Sequence, residues 1–290
     1  MLEQITPLIL TYNEAPNIGR TLEMLRWARD IVVVDSFSDD ETLEIVSQFA
    51  NVRVFQRGFD GFAGQWQFGL KETGILTEWV LALDADFILT DEIVDELASL
   101  RPADSMAGYK IPLKYCIHGK RLRSGLLQPL TVLYRRGKAS LSPDGHTHRV
   151  NLEGKVGMLR SCILHDDRKL LSRWFSTQSR HIELEGPKLL ASDPKKLNLA
   201  DRIRLLRIIA PILVLFYCLI YKGGILDGWA GFYYAFQRMF AELLLSLYLI
   251  EHDFTLKRRA TNPKPELVER PNPPVTVEKQ PDAIAGGGAV

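Results

Sequence analysis

Three apolar runs near the start of the chain end the same way, and that repetition constrains the fold more than any other feature. Residues 5–10, apolar but for Thr6 and Pro7, break into Thr11-Tyr12-Asn13-Glu14-Ala15-Pro16-Asn17, and residues 18–25 then have helical spacing. Ile31-Val32-Val33-Val34 breaks into Asp35-Ser36-Phe37-Ser38-Asp39-Asp40-Glu41-Thr42, after which Leu43, Ile45, Val46 and Phe49 recur at helical spacing. Trp79-Val80-Leu81-Ala82-Leu83 breaks into Asp84-Ala85-Asp86, and residues 52–55 read as one more short strand. Strand, polar loop, helix, strand is the grammar of a mostly parallel sheet with helices on its faces. Ligands of such sheets bind beyond the carboxyl ends of the strands. Thr11, Asn13, Glu14, Asp35, Ser36, Asp84 and Asp86 all fall at such ends.

The chemistry of those ends is oxygen-rich. The two-residue period of an extended chain points Asp84 and Asp86 to one side as the chain leaves the sheet. Two hard carboxylates so placed suit Mg²⁺ or Mn²⁺, which complete their shells with water and phosphate oxygens. Asp39 and Asp40 precede a helical pattern and are expected to satisfy its free N–H groups. Capping explains little about Asp35, the last residue of its strand.

Ile9-Leu10-Thr11-Tyr12-Asn13-Glu14, Val33-Val34-Asp35-Ser36-Phe37-Ser38-Asp39-Asp40-Glu41-Thr42 and Leu83-Asp84-Ala85-Asp86, in that order, resemble the inverting family 2 glycosyltransferases. More narrowly, they resemble the bacterial branch that includes lipopolysaccharide-core glucosyltransferases. The likeness continues through Asp144-Gly145-His146, residues 164–169 and Ile225-Leu226-Asp227-Gly228-Trp229. It implies a GT-A-type α/β fold, a nucleotide-sugar donor and a divalent metal. By the same likeness Thr11, Asn13, Glu14, Asp35, Ser36, Gln65 and Asp84 form the nucleotide-sugar set, with Asp35 at the base or ribose. Asp86 would hold the metal-diphosphate. Phe87 stands where many relatives are acidic, and Gln67 where many carry Asn; both departures concern the donor sugar.

The middle third is expected to carry the acceptor side. Residues 106–113 and 130–134 read as strands, with a basic turn at Gly119-Lys120-Arg121-Leu122-Arg123 that either meets an anion or is solvated surface. Pro143 and Gly145 mark residues 142–150 as a loop, which concentrates one carboxylate and two imidazoles. An inverting transferase needs one general base to deprotonate the attacking hydroxyl. Asp144 and His146 are the candidates, in that order, against the plainer reading of Asp144 as a turn-former. His165, at the end of Cys162-Ile163-Leu164 and followed by Asp166 and Asp167, is a candidate metal ligand steadied by a carboxylate. A capping or carbonyl-bonded histidine is the alternative.

The 290 residues are 46% hydrophobic, enough for one substantial core plus an appendage, and the net charge of +1 argues against a nucleic-acid binder. Cys116, Cys162 and Cys218 have neither ligand spacing nor an even count, the pattern of reduced thiols in a cytosolic setting. The first residues carry no basic n-region before a fold strand, so no secretory signal is expected. From Lys188 the character changes. Lys188, Lys195, Lys196, Arg202, Arg204 and Arg207 precede the uncharged run 208–221, which is short of the ~18 residues a span needs. A second apolar segment, residues 229–250, contains Gln237, Arg238 and Glu242. Short length, aromatic faces and a basic flank suit helices lying in a membrane interface; a short hairpin or a buried helical pair are the alternatives.

The expected organisation is therefore a catalytic domain over 1–187, with a nucleotide-sugar half to about residue 100 and an acceptor half beyond it. A helical membrane-interface region follows over 188–253, then a Pro-, Lys- and Glu-rich disordered tail over 254–290. The expected activity is metal-dependent, inverting hexose transfer from a nucleotide diphosphate sugar, of which UDP is the family's usual nucleotide. The acceptor would be a lipopolysaccharide-core, lipid-linked or other envelope glycan at the cytoplasmic face of the inner membrane. A nucleotidyltransferase would also put carboxylates and a metal at a strand end, but would carry a Gly-rich phosphate loop, and residues 11–17 contain no Gly. An inactive membrane-associated scaffold is the remaining alternative, which intact Asp84 and Asp86 disfavour.

Overall fold

The structure is a computed structural model that describes residues 1–144, 147–193, 195 and 197–261, with no side-chain description for 147 and 256–261. Met1–Glu251 form one compact unit; the chain from His252 onward is a second. The strands are β1 (Ile5–Thr11), β2 (Ile31–Asp35), β3 (Val52–Gln56), β4 (Trp79–Asp84), β5 (Phe87–Leu89), β6 (Met106–Ile111) and β7 (Leu113–Ile117). They continue with β8 (Lys120–Arg121), β9 (Leu130–Arg135), β10 (Ala139–Asp144), β11 (Thr147–Leu152), β12 (Lys155–Met158) and β13 (Ile163–His165). The helices are α1 (Ile18–Glu23), α2 (Thr42–Ser47), α3 (Phe62–Glu72), α4 (Asp91–Ser99), α5 (Leu171–Ala191), α6 (Leu199–Arg204), α7 (Ile209–Phe216) and α8 (Trp229–Thr261).

The central sheet has the order β12-β6-β9-β4-β1-β2-β3. β4, β1, β2 and β3 run parallel, and β9 is antiparallel to both β4 and β6. Its core strands read as unbroken apolar runs because both faces are covered. Ile9, Val33, Leu81 and Leu83 pack in one core with Ile18 and Leu22 of α1 and Ile93 and Leu97 of α4. Leu8, Val32, Val34, Val80 and Ala82, their alternating neighbours, pack with Trp66 and Leu70 of α3 on the other face.

Two local expectations change. Residues 106–113 do not form one strand: Pro112, with no N–H to donate, separates β6 in the central sheet from β7 in a second sheet ordered β5-β13-β7-β8. Residues 142–150 are not simply a loop. Ala139–Asp144 and Thr147–Leu152 pair antiparallel, with Pro143 opposite His148. Proline is accommodated because β10 pairs on one side only and so has the character of an edge strand, where proline is tolerated.

At the C-terminal side, α5 runs unbroken past residue 187, and α7 continues through a π-helical turn (Tyr217–Tyr221) to a break at Gly223 and Gly228, both at positive φ. The buried Asp227 carboxylate accepts from Arg123 N, Ser124 N and Ser124 Oγ at 2.9–3.1 Å, tying this helical region to the middle of the chain. α8 extends to Thr261, beyond the boundary expected at residue 253; the rest of the tail lies outside the described residues. Cys116 and Cys218 are buried free thiols and Cys162 is a half-buried one.

Candidate active site

Strand register builds the site. Thr11 lies beside Asp35 across β1 and β2, and Leu10 lies beside Asp84 across β1 and β4, so three neighbouring parallel strands deliver Thr11, Asp35 and Asp84 to one edge. The chain then turns through Ala85 and Asp86 into β5. β13 arrives antiparallel to β5, which places His165 opposite Phe87. His165 Nε2 lies 3.4 Å from Asp86 Oδ2, so the two residues expected to hold a metal are brought together from 79 positions apart in sequence (165 minus 86).

Asp86 is 8% exposed, and its Oδ1 is buried without a hydrogen-bond partner. An orphaned buried carboxylate oxygen beside an imidazole is costly by itself and suits a cation. Among the described residues no three acidic, His or Cys side chains gather as a metal cage. Asp86 and His165 would thus leave most of a shell to phosphate oxygens and water, as Mg²⁺ and Mn²⁺ sites on phosphate substrates commonly do.

Asp84 and Glu14 lie close enough to Asp86 to feel its charge. Asp84 is open to solvent yet surrounded by protein, the mark of a group at the bottom of a cleft. Its carboxyl rises to about 6, because of that desolvation first and of Asp86's charge second. Glu14 is pushed up to about 7 by burial, with Lys169 pulling it back down and Asp86 pushing it further up. Lys169 Nζ donates to Glu14 Oε1 at 2.6 Å. Burial disfavours the Lys169 ammonium, but Glu14 and Asp167 outweigh it and hold its pKa above the usual value.

Lys169 was not foreseen as a site residue; the only signal was its position at the end of the 164–169 run. Asn17 was missed as well. It is fully buried, and its Nδ2 reaches both Glu14 Oε2 and Asp167 Oδ1 at 2.9 Å, while its Oδ1 accepts from Arg20 Nη2 and Arg168 N. Asp166 completes the clamp. Its carboxylate accepts from Arg20, Arg168 and Gly119 N, and its own N–H donates to Asp86 O at 3.0 Å. Desolvation opposes that carboxylate's charge, but the hydrogen bonds from Arg168 and Gly119 N prevail and lower its pKa. Asn17 and Asp166 thereby fix β13 against the β1–α1 loop.

The remaining expected residues mostly shape loops. Asp35 is fully buried and accepts from Thr11 Oγ1 at 2.9 Å, from Ser38 N at 2.9 Å and from Ser38 Oγ, so both oxygens are engaged within the protein. Gln65, also buried, donates to Ser36 Oγ at 3.0 Å and to the Arg57 carbonyl. Asn13 adopts φ 55°, a left-handed conformation Asn tolerates, and exchanges hydrogen bonds with Asp39. Asp39 thus ties two loops together instead of capping α2; Asp40 does accept from Thr42 N, the first residue of α2.

Asp144 stands apart from this cluster in its bonding. Its described partners are Arg149 Nη2 at 2.9 Å and Lys188 Nζ at 3.7 Å, and the Arg149 hydrogen bond holds its carboxyl below the usual range. His146 lies outside the described residues.

Residues 8–109 match the family model described as Glycosyl transferase family 2. The chain is a glycosyltransferase with a family 2 domain. An "Uncharacterized glycosyltransferase" of Rickettsia felis is 28% identical over 213 residues, covering 68% of this chain and 74% of the relative. The "Lipopolysaccharide core biosynthesis glycosyltransferase LpsC" of Rhizobium meliloti is 28% identical over 204 residues, covering 63% and 73%. Among solved structures, a Mycobacterium tuberculosis glucosyl-3-phosphoglycerate synthase with Mn²⁺, UDP and glucosyl-3-phosphoglycerate has a TM-score of 0.42 at 15% identity, covering 65% of this chain and 81% of that one. The family match covers the strand ends that hold Thr11, Asp35, Asp84 and Asp86, and the sheet flanked by helices has the GT-A-type architecture expected of this glycosyltransferase.

Proposed function

We propose that this glycosyltransferase moves a hexose with inversion from a UDP-sugar to a hydroxyl of an envelope glycan such as a lipopolysaccharide core, using Mn²⁺ or Mg²⁺. One observation carries the reading: Asp86, whose Oδ1 is buried and unpartnered, holds its Oδ2 3.4 Å from His165 Nε2 at the carboxyl edge of the sheet, beside Asp84. A divalent ion held by Asp86 and His165 would stabilise the charge on the departing diphosphate. The protein's own part is positional. Thr11, Asn13, Ser36 and Gln65, with Asp35 beneath them, shape the loops around the nucleotide, while Asp84 faces the ribose and donor sugar. Lys169, paired to Glu14, adds a fixed cation beside the anionic floor, where preorganised charge is most effective.

Asp144 remains the first candidate for the base, with His146 second. Asp144 is ionised at neutral pH as any solvent-accessible carboxylate is, the form that accepts a proton, and the Arg149 hydrogen bond lowers its pKa and weakens it as a base. Asp166 is unsuited to the role, because its oxygens are saturated by Arg20, Arg168 and Gly119.

Peripheral docking on the cytoplasmic face of the inner membrane belongs to the same proposal. Among the described residues no helix is long and apolar enough to cross a membrane. Yet Ile208, Ile212, Phe216, Ile220, Tyr221, Ile225, Leu226 and Trp229 are all exposed, Tyr221 and Leu226 by more than 70% (77% and 72%). An apolar and aromatic surface of this kind, next to basic Arg202 and Lys222, suits an interfacial seat on anionic lipid.

The test is a panel of nucleotide sugars with and without Mn²⁺, read as thermal stabilisation and as slow donor hydrolysis. A metal-dependent response to one UDP-sugar is expected. A chain that neither binds nor turns over any nucleotide sugar would overturn the reading.

A further inference from the structure

A cavity of about 200 Å³ is lined by Tyr115, Leu126, Leu127, Trp174, Tyr234, Gln237 and Arg238. It brings β7 and the segment before β9 together with α5 and α8, four parts of the chain that local sequence patterns do not connect. Its position relative to the proposed metal ligands follows from the second sheet. Phe87, His165 and Tyr115 are register partners across β5, β13 and β7, so their rings share one face. His165 packs edge-on to Phe87 at 5.6 Å and stacks on Tyr115 at 4.9 Å; Tyr115 in turn lies 4.8 Å from Tyr234. The cavity therefore begins one ring beyond His165. A larger cavity, about 310 Å³, is lined by Ile88, Cys116 and Leu164, the alternating neighbours of those residues, so it opens on the opposite face of the sheet.

The lining has the chemistry of a sugar subsite. Trp174, Tyr115 and Tyr234 offer aromatic faces, and Gln237 and Arg238 offer polar groups. The Tyr234 hydroxyl accepts from Leu126 N at 3.1 Å, which anchors one wall. Among the described residues no acidic side chain lines the cavity. Glu242, the carboxylate that Arg238 reaches at 3.6 Å, takes Arg204 through contacts of 2.9–3.2 Å. Arg238 Nε is buried and has no hydrogen-bond partner among the described residues. An under-used guanidinium on an aromatic-walled cavity of single-ring size selects a planar or tetrahedral anion.

We infer that this cavity is the acceptor subsite and binds one sugar ring bearing an anionic substituent, a carboxylate or a phosphate, with Trp174 against the ring and Arg238 on the anion. The inference rests on the glycosyltransferase reading and names its acceptor class.

The experiment is an NMR titration of the full chain with three probes: methyl glucuronide, glucose 6-phosphate and methyl glucoside. Either or both anionic probes should bind, and the stronger of them identifies the substituent. The neutral glucoside should bind about tenfold more weakly, the usual effect of losing one charge-assisted hydrogen bond. Arg238→Gln should bring the anionic probe down to the neutral level, and Trp174→Ala should weaken all probes. Melting curves of each variant report whether the fold survives; Gln237→Ala, a milder change at the same wall, should weaken binding if the others unfold. Equal affinity for charged and neutral probes, or binding indifferent to all three substitutions, overturns the inference, as does absence of binding by every probe. Binding of UDP with Mn²⁺, measured on the same wild-type sample, reports separately on the donor reading.

Discussion

Asp86→Asn separates two consequences of one carboxylate. The variant keeps shape but removes a charge from a floor that also holds Asp84 and Glu14. If Asp86 holds the ion, transfer should fall by about 10³-fold or more, because metal stabilisation of a leaving group contributes several kcal/mol. In the wild type, Mn²⁺ at about 100 times its Kd should add ~2.7 kcal/mol of stability, a rise of roughly 5 °C or more for a chain of this size. The variant should lose that rise at the same Mn²⁺ concentration. Without metal the sign reverses. Asp86 is among the causes that raise both Asp84, to about 6, and Glu14, to about 7.

Groups with raised folded pKa values favour the folded state most below their unfolded values and lose that contribution as pH rises through the folded ones. The repulsion is therefore absent near pH 4 and fully present by pH 8. Removing Asp86's share should stabilise the metal-free variant at pH 8 by about 1 kcal/mol or less, after discounting for Asp84's contact with solvent. The gain should vanish toward pH 4. Differential scanning fluorimetry across pH, with and without Mn²⁺, measures both arms. A variant that keeps the Mn²⁺ shift and near wild-type turnover would falsify Asp86 as a ligand.

Four further outcomes follow from the geometry. Asp35→Asn, which disrupts the buried bonds to Thr11 and Ser38, should cost ~2–3 kcal/mol in denaturant unfolding; nucleotide affinity unchanged in the folded variant would assign Asp35 a purely structural role. Asp144→Asn should lower transfer about 10²-fold or more with donor affinity intact, and if transfer survives there but collapses in His146→Ala, the base is His146. Asn17→Ala, stripping four hydrogen bonds from a fully buried amide, should lower stability by about 3 kcal/mol and loosen Mn²⁺ binding through His165; a stable variant with unchanged metal affinity refutes the clamp. The combined substitution Ile212→Asp, Phe216→Asp and Leu226→Asp should abolish co-flotation with anionic vesicles and leave the melting temperature within a few degrees, since all three side chains are exposed; persistent flotation would remove this face from the membrane proposal.

The parallel sheet and its polar carboxyl edge were legible from residues alone. Each signal was local: Ile31-Val32-Val33-Val34 followed by Asp35, and the apolar run of β4 followed by Asp84-Ala85-Asp86, both obey the rule that a strand buried on two faces reads as a continuous apolar run and ends where polarity returns. Where a local signal was ambiguous, tertiary pairing decided it. Pro143 and Gly145 read as loop, but β10 found a partner in β11. Pro112 turned an expected single strand into two strands of different sheets. The rest of the site had no local signature, because its contacts join distant parts of the chain. Glu14 and Lys169 meet across 155 positions, Asn17 and Asp167 across 150, and Tyr115 and Tyr234 across 119 (234 minus 115). Periodicity reports which side chains share a face within one element. Only the packing of elements decides that a lysine at the end of β13's loop neutralises a glutamate after β1, or that α5 and α8 close an aromatic cavity beside His165.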